Sequence, residues 1–161
     1  MRDAFGGAFM IKLFLVFIII YVGFTAVALN YAKAFKAKNI VVEYLENNEI
    51  SSIDMTAAAE TEMRNYFEEE IVGNLGYVFP YKKFSCTSSK TKKCLDDIGI
   101  MIEQRSSSSK NKLGVYYRVT TFFGFQLPFF DRLFAISDRT GGDDMIGVWT
   151  IVGETRPIAF E

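Results

Sequence analysis

Seventeen consecutive residues, Leu13 to Leu29 (LFLVFIIIYVGFTAVAL), carry no charge and are mostly Phe, Ile, Val and Leu. At about 1.5 Å per residue this run alone makes a helical rod of about 25 Å, which a polar fringe extends toward the hydrocarbon thickness of a bilayer. A helix that is apolar on every side has to be surrounded by lipid or by protein. The run therefore predicts a membrane anchor, and it divides the chain. Past residue 50 the sequence is charged, amphipathic and turn-rich, and its roughly 110 residues suffice for one core.

A cleavable secretory signal has a shorter apolar core followed by a small-x-small site. Here the run is longer, and the adjoining stretch, NYAKAFKAKNIVVEYLENNE, keeps a helical period. Between Ala8 and Asn48 there is no Pro, and Gly23 is the one Gly. Phe35, Val41 or Val42, and Leu45 recur at helical spacing. The expectation is one helix over 8–49, about 60 Å long, with its first half in lipid and its second half in water. Asn47, Asn48 and the Ser51-Ser52 pair are expected to end it. Gly23, Ala26, Ala28, Ala32 and Ala34 are the positions at which another helix could approach closely.

The charges flanking the run point in two directions. Arg2 and Lys12 precede it, opposed by Asp3, while Lys33, Lys36 and Lys38 come after it. Counting Lys and Arg alone favours a cytoplasmic C-terminal domain. The free amino terminus, Glu43 and Glu46 weigh against that, and so do two cysteines, Cys86 and Cys94. The polar residues between these two suit a disulfide closing a small loop in an oxidising space, the alternative being two separate thiols. A zinc site would need further ligands. The reading adopted is a single-pass protein of the cell membrane with residues 50–161 extracytoplasmic.

The chain has no His, which removes the commonest general base and the commonest zinc ligand. A net charge of −1 argues against a nucleic-acid partner. No P-loop or GxGxxG occurs, and Gly141-Gly142 before Asp143-Asp144 reads as a turn rather than a calcium loop. Asp131 and Arg132, inside LPFFDRLF, read as a structural charge pair. No catalytic, cofactor-binding or metal-ligating set emerges, and the expectation is a non-enzyme without cofactor.

The soluble part reads as α+β. Residues 53–72 predict a second helix, with Met55, Ala59, Met63, Tyr66, Phe67 and Ile71 on one face and Ser51 and Asp54 at capping-box spacing. Gly73 and Gly76 are expected to end it, and its glutamates (60, 62, 68, 69 and 70) to form a solvated face. Residues 77–97 read as irregular, with Pro80 and a basic loop bearing Lys82, Lys83, Lys90, Lys92 and Lys93. A period of two then appears: Ile98, Ile100 and Ile102 in one strand, and Val115, Tyr117, Val119, Phe123 and Phe125 on one face of a second, with Arg118, Thr120 and Gln126 on the other. SSSSKNK reads as the connector between them. A third strand is IGVWTIVGETRPI, with Trp149 and Ile151 on one face and Val148 and Val152 on the other. The sum is a small antiparallel sheet of three or four strands, one face of which must be covered by helices.

This layout resembles the type IV pilin-like proteins, and among them the TadE-like pseudopilins of Tad/Flp (tight adherence) pili. MRDAFGGAFMIKLFLVF is similar to a prepilin processing region, with a short leader, 1–7, ending in Gly7. Cleavage there would leave Ala8 as the new amino terminus. VYYRVTTFFGFQLP, the LPFF segment and the closing WTIVGETRPI resemble the terminal half of those proteins. The resemblance implies a non-catalytic minor pilin or assembly subunit. Its partners would be the membrane, major and minor pilins met through the helix, and the pilus assembly platform. Where pilins carry a Glu five residues after the cut, this chain has Lys12. A membrane-tethered accessory subunit of a secretion or cell-wall complex, belonging to no filament, is the alternative, and a tethered cytoplasmic domain a third.

Overall fold

The computed structural model describes residues 2–50, 52–79, 86–109, 112–124 and 149–159. Helix α1 (Arg2–Asn47) runs unbroken for 46 residues, about 69 Å at the helical rise. It starts earlier than expected, so residues 2–7 share the helix of the apolar run. From Phe9 to Val22 every residue is exposed. Further along, Ala34, Ala37, Val41 and Leu45 are wholly buried, and their three- and four-residue spacing keeps them on one stripe. The end is a Schellman turn. Ile50 N–H donates to Leu45 O (3.5 Å) and Glu49 N–H to Glu46 O (3.3 Å), with Glu49 itself at φ 43°.

Helix α2 (Ala57–Phe67) continues into a wider π-helical turn, Glu68–Asn74. Its cap is Thr56, whose side chain accepts from Ala59 N–H at 3.5 Å, rather than the expected pair at Ser51 and Asp54. The delay has a cause in the core. Ile53 is buried there and its N–H donates to Gln104 Oε1 (3.1 Å), which ties the segment before α2 to strand residue 104 and keeps it out of the helix. Met63, Phe67 and Ile71 turn inward, whereas Tyr66, expected on the same face, is exposed and Met55 precedes the helix. An α-helical step of four overshoots a full turn and a π-helical one undershoots it, so Ile71 returns to the stripe of Met63. Gly76, at φ +62°, closes the element.

The sheet is antiparallel, in the order β1 (Lys92–Leu95), β2 (Ile100–Ser109), β3 (Lys112–Phe123), β4 (Trp149–Glu154). A short β5 (Ile158–Ala159) lies beside β3 on the same side as β4. Strand β1 falls in the stretch read as irregular. Ile98 is buried, but in the turn before β2 rather than in a strand. Pairing of β2 with β3 persists to Ser109 opposite Lys112, so the serine run is strand and the connector shrinks to residues 110–111. The last expected strand is two, joined at Thr155. There the Thr155 N–H donates to Tyr117 O and its Oγ1 accepts from Tyr117 N–H, both at 2.9 Å. The hydroxyl thus stands in for a backbone acceptor just before Pro157. Phe125 and Gln126, Pro80, Lys82 and Lys83, Asp131 and Arg132, the 140–144 turn and Val148 lie outside the described residues.

One face of the sheet receives both helices. Leu95, Ile100, Ile102, Tyr117, Val119, Phe123 and Ile151 meet the inward residues of α1 and α2 in a single core. Helix α1 crosses β4 closely, the aliphatic stem of Lys38 lying where a Cβ on Gly153 would stand, 2.7 Å from its Cδ. On the opposite face Arg118 pairs with its cross-strand partner Glu154 (2.8 Å), and Phe79 and Cys94 form a smaller cluster with Met101 and Phe122. The class is α+β, as the sequence indicated: a long apolar helix entering a head with a second helix and an antiparallel sheet.

Two buried phenols tie the layers together. Tyr117 donates to Ile50 O at 2.8 Å, and Tyr77 donates to Phe122 O. Burial raises both pKa values, that of Tyr117 to about 12. A raised phenol pKa means that the folded state holds its proton more tightly than the unfolded chain does. The associated stability is complete below the unfolded value of about 10 and is lost as pH rises from there through the folded value. Denaturant midpoints are expected to hold up to about pH 10 and then fall. Tyr117→Phe should lower neutral-pH stability by about 1 kcal/mol and make the alkaline fall shallower than in the parent chain. A parallel fall in both proteins would exclude Tyr117 as a contributor.

Candidate functional site

The most prominent exposed surface is the first half of α1. Phe9, Met10, Phe14, Phe17, Tyr21 and Phe24 each leave about two-thirds or more of their surface uncovered. The helix is long and apolar enough to cross a membrane, and it carries a disulfide-bearing head. Gly7 and Ala8 both sit within α1, with open space around Gly7.

The five small residues proposed for close helix approach do not share a face. At about 100° per residue, Gly23 and Ala26 lie on the stripe that continues into Ala34 and Ala37, whereas Ala28 and Ala32 lie on the other side. Ala34 is wholly buried against its own sheet, so it is taken by the head and not open to another helix. Its surroundings are set by strands remote in sequence, which helical spacing alone does not reveal.

Where the rod meets the head, three aromatic rings line up. Tyr31 packs edge-on to Phe123 (5.7 Å between centroids), and Phe123 lies 5.9 Å from Trp149, its partner across β3 and β4. Beside them the Lys33 ammonium donates to Gly76 O at 2.8 Å. Lys38 places its ammonium 4.2 Å from the centre of the Phe35 ring. Sequence reasoning assigned Trp149 to a strand face and gave this cluster no role. The available signal was a Tyr just past the apolar run together with the chain's one Trp.

Farther down, Cys86 and Cys94 form a disulfide, with Cα atoms 6.0 Å apart, an ordinary span for such a bridge. Cys94 is buried beneath Phe79. In the basic loop Lys93 pairs with Glu60 at 2.5 Å, while Lys90 remains exposed. Arg64 of α2 pairs with Asp97 at 2.7 Å. These contacts spend part of the loop's charge on α2. Glu62, Glu68 and Glu69 are exposed around α2 and the turn after it. Among the described residues no group of three or more Cys, Asp or Glu is placed to hold a metal ion. A shallow depression of about 420 Å³ between α1 and the π-helical turn carries Glu43 and Glu70 beside Tyr44 and Tyr66. Comparison with protein-family models, with curated proteins and with solved structures finds no match.

Proposed function

We propose that this chain is a non-catalytic, membrane-anchored subunit of pilin type, a minor pilin or assembly factor resembling the TadE-like pseudopilins. The observation that supports it most is the continuity of α1. One helix is bare and apolar through its first half and becomes the spine of a small α+β head in its second. Such a rod holds the subunit in lipid and offers its flank to the rods of neighbouring subunits. Association of that kind rests on side-chain packing rather than on a hydrophobic drive. Ala28 and Ala32, both exposed, are the places for close approach, with Ala26 half-buried and Gly23 buried on the opposite side. The Cys86–Cys94 bridge supports an extracytoplasmic head.

Lys12 favours a second reading, in which the chain is a tethered accessory subunit outside any filament, because a Lys cannot pair with a neighbour's amino terminus as a carboxylate does. Mass spectrometry of the mature protein decides between them. The pilin reading expects removal of residues 1–7 and a chain that begins at Ala8. An intact amino terminus combined with an external head supports the tether. A reporter fused after Glu161 that works only in the cytosol overturns both.

A further inference from the structure

The aromatic cluster at the top of the head sits at a particular height on α1. Lys12 and Lys33 bracket the uncharged part of the helix, and the twenty residues between them span about 30 Å, the hydrocarbon thickness of a bilayer. Tyr31 lies half a turn before Lys33. The position of Trp149 is fixed by a second route. Gly153 lies against Lys38. Trp149 stands four strand residues back from Gly153, about 13 Å, while Tyr31 stands seven helical residues back from Lys38, about 10 Å. Both routes lead toward the apolar half, and they agree with the ring contacts from Tyr31 through Phe123 to Trp149. Trp149 is 45% exposed and Tyr31 50% exposed. The Lys36 side chain is exposed about one and a half turns past Tyr31, toward the head.

We propose that this end of the head is itself a lipid-binding surface, with Trp149 and Tyr31 seated in the headgroup layer and Lys36 facing lipid phosphates. The inference rests on α1 spanning the bilayer but is independent of the filament reading and of which side the head occupies. The chemistry fits the place. Indole and phenol rings join an apolar body to a polar tip, and such rings are favoured where acyl chains give way to headgroups. Cations just beyond them meet phosphate. The head would then lie on the membrane at two points, the rod and the Trp149 edge, instead of standing clear on a stalk.

Trp149 is the chain's sole tryptophan, so its fluorescence reports this surface without background. The full-length protein is reconstituted into phosphatidylcholine–phosphatidylglycerol vesicles and floated to confirm insertion. Parallel samples contain lipids brominated near the headgroup end of the acyl chain or near its terminus. The expected result is blue-shifted emission, quenched several-fold more by the shallow bromines than by the deep ones. Emission of an exposed indole, quenched by neither, overturns the proposal, as does blue-shifted emission quenched by neither, which would mean that protein covers the ring. Stronger deep quenching also overturns it. Protein that does not float with the vesicles refutes the membrane span itself, which keeps that failure distinct.

Discussion

Phe67→Ala is expected to destabilise the head by about 3–5 kcal/mol, the usual range for deleting a wholly buried aromatic ring. Phe67 has no exposed surface and meets Tyr44 edge-on at 5.1 Å, so it links α2 to the water-exposed half of α1. A domain of this size has about 5–15 kcal/mol in total, and the variant would be largely unfolded in mild denaturant. Urea titration of the full-length chain in detergent should show the midpoint shifted down. The apolar half of α1 should stay helical, since Phe9–Val22 is exposed and so does not depend on packing against the head. Loss of less than about 1 kcal/mol would mean that the α1–α2 seam is not part of the core.

Gly99→Ala is expected to cost about 3 kcal/mol, from two sources at one atom. Gly99 has φ +70°, where a side chain is strained, and an added Cβ would come within 2.6 Å of the Phe79 ring. That ring is held on the outer face with Cys94 and cannot withdraw without emptying its cluster. Gly153→Ala is the matched control. Its Cβ would approach Lys38 nearly as closely, at 2.7 Å, but the neighbour is a flexible stem and the backbone is ordinary. Its cost should stay below about 1 kcal/mol. Thermal or urea midpoints measured side by side test the contrast, and equal losses would refute the argument from Phe79.

Features written in a local period were legible in the sequence. The apolar run, the helix that carries it into the head and its stop at Asn47 follow from composition and spacing, and so do the inward faces of α2 and β3. The features that escaped depend on distant partners. Strand β1 is four residues rich in lysine, and only its pairing with Ile100–Glu103 makes it a strand. The serine run has low strand propensity and is held extended by the opposite half of β3. Ser51 and Asp54 have cap spacing, yet Ile53 is drawn into the core and the helix starts later at Thr56. The small residues of α1 show the same limit. Spacing identified them, but only the folded structure separates the buried Gly23 and Ala34 from the exposed Ala28 and Ala32. The aromatic cluster at Tyr31 joins residues from three remote segments, so no single stretch announced it.

The unbroken hydrogen bonding of α1 makes apolar rod and domain spine one stiff shaft. Under the proposed function, whichever flank of the shaft a neighbour packs against fixes the compass bearing of the head. Inserting one residue between Asn30 and Lys33 would swing the head by about 100° and raise it by about 1.5 Å, turning a different side outward. If the chain is the anchored subunit proposed above, register along this shaft, more than any single surface contact, sets which side of the head is turned outward.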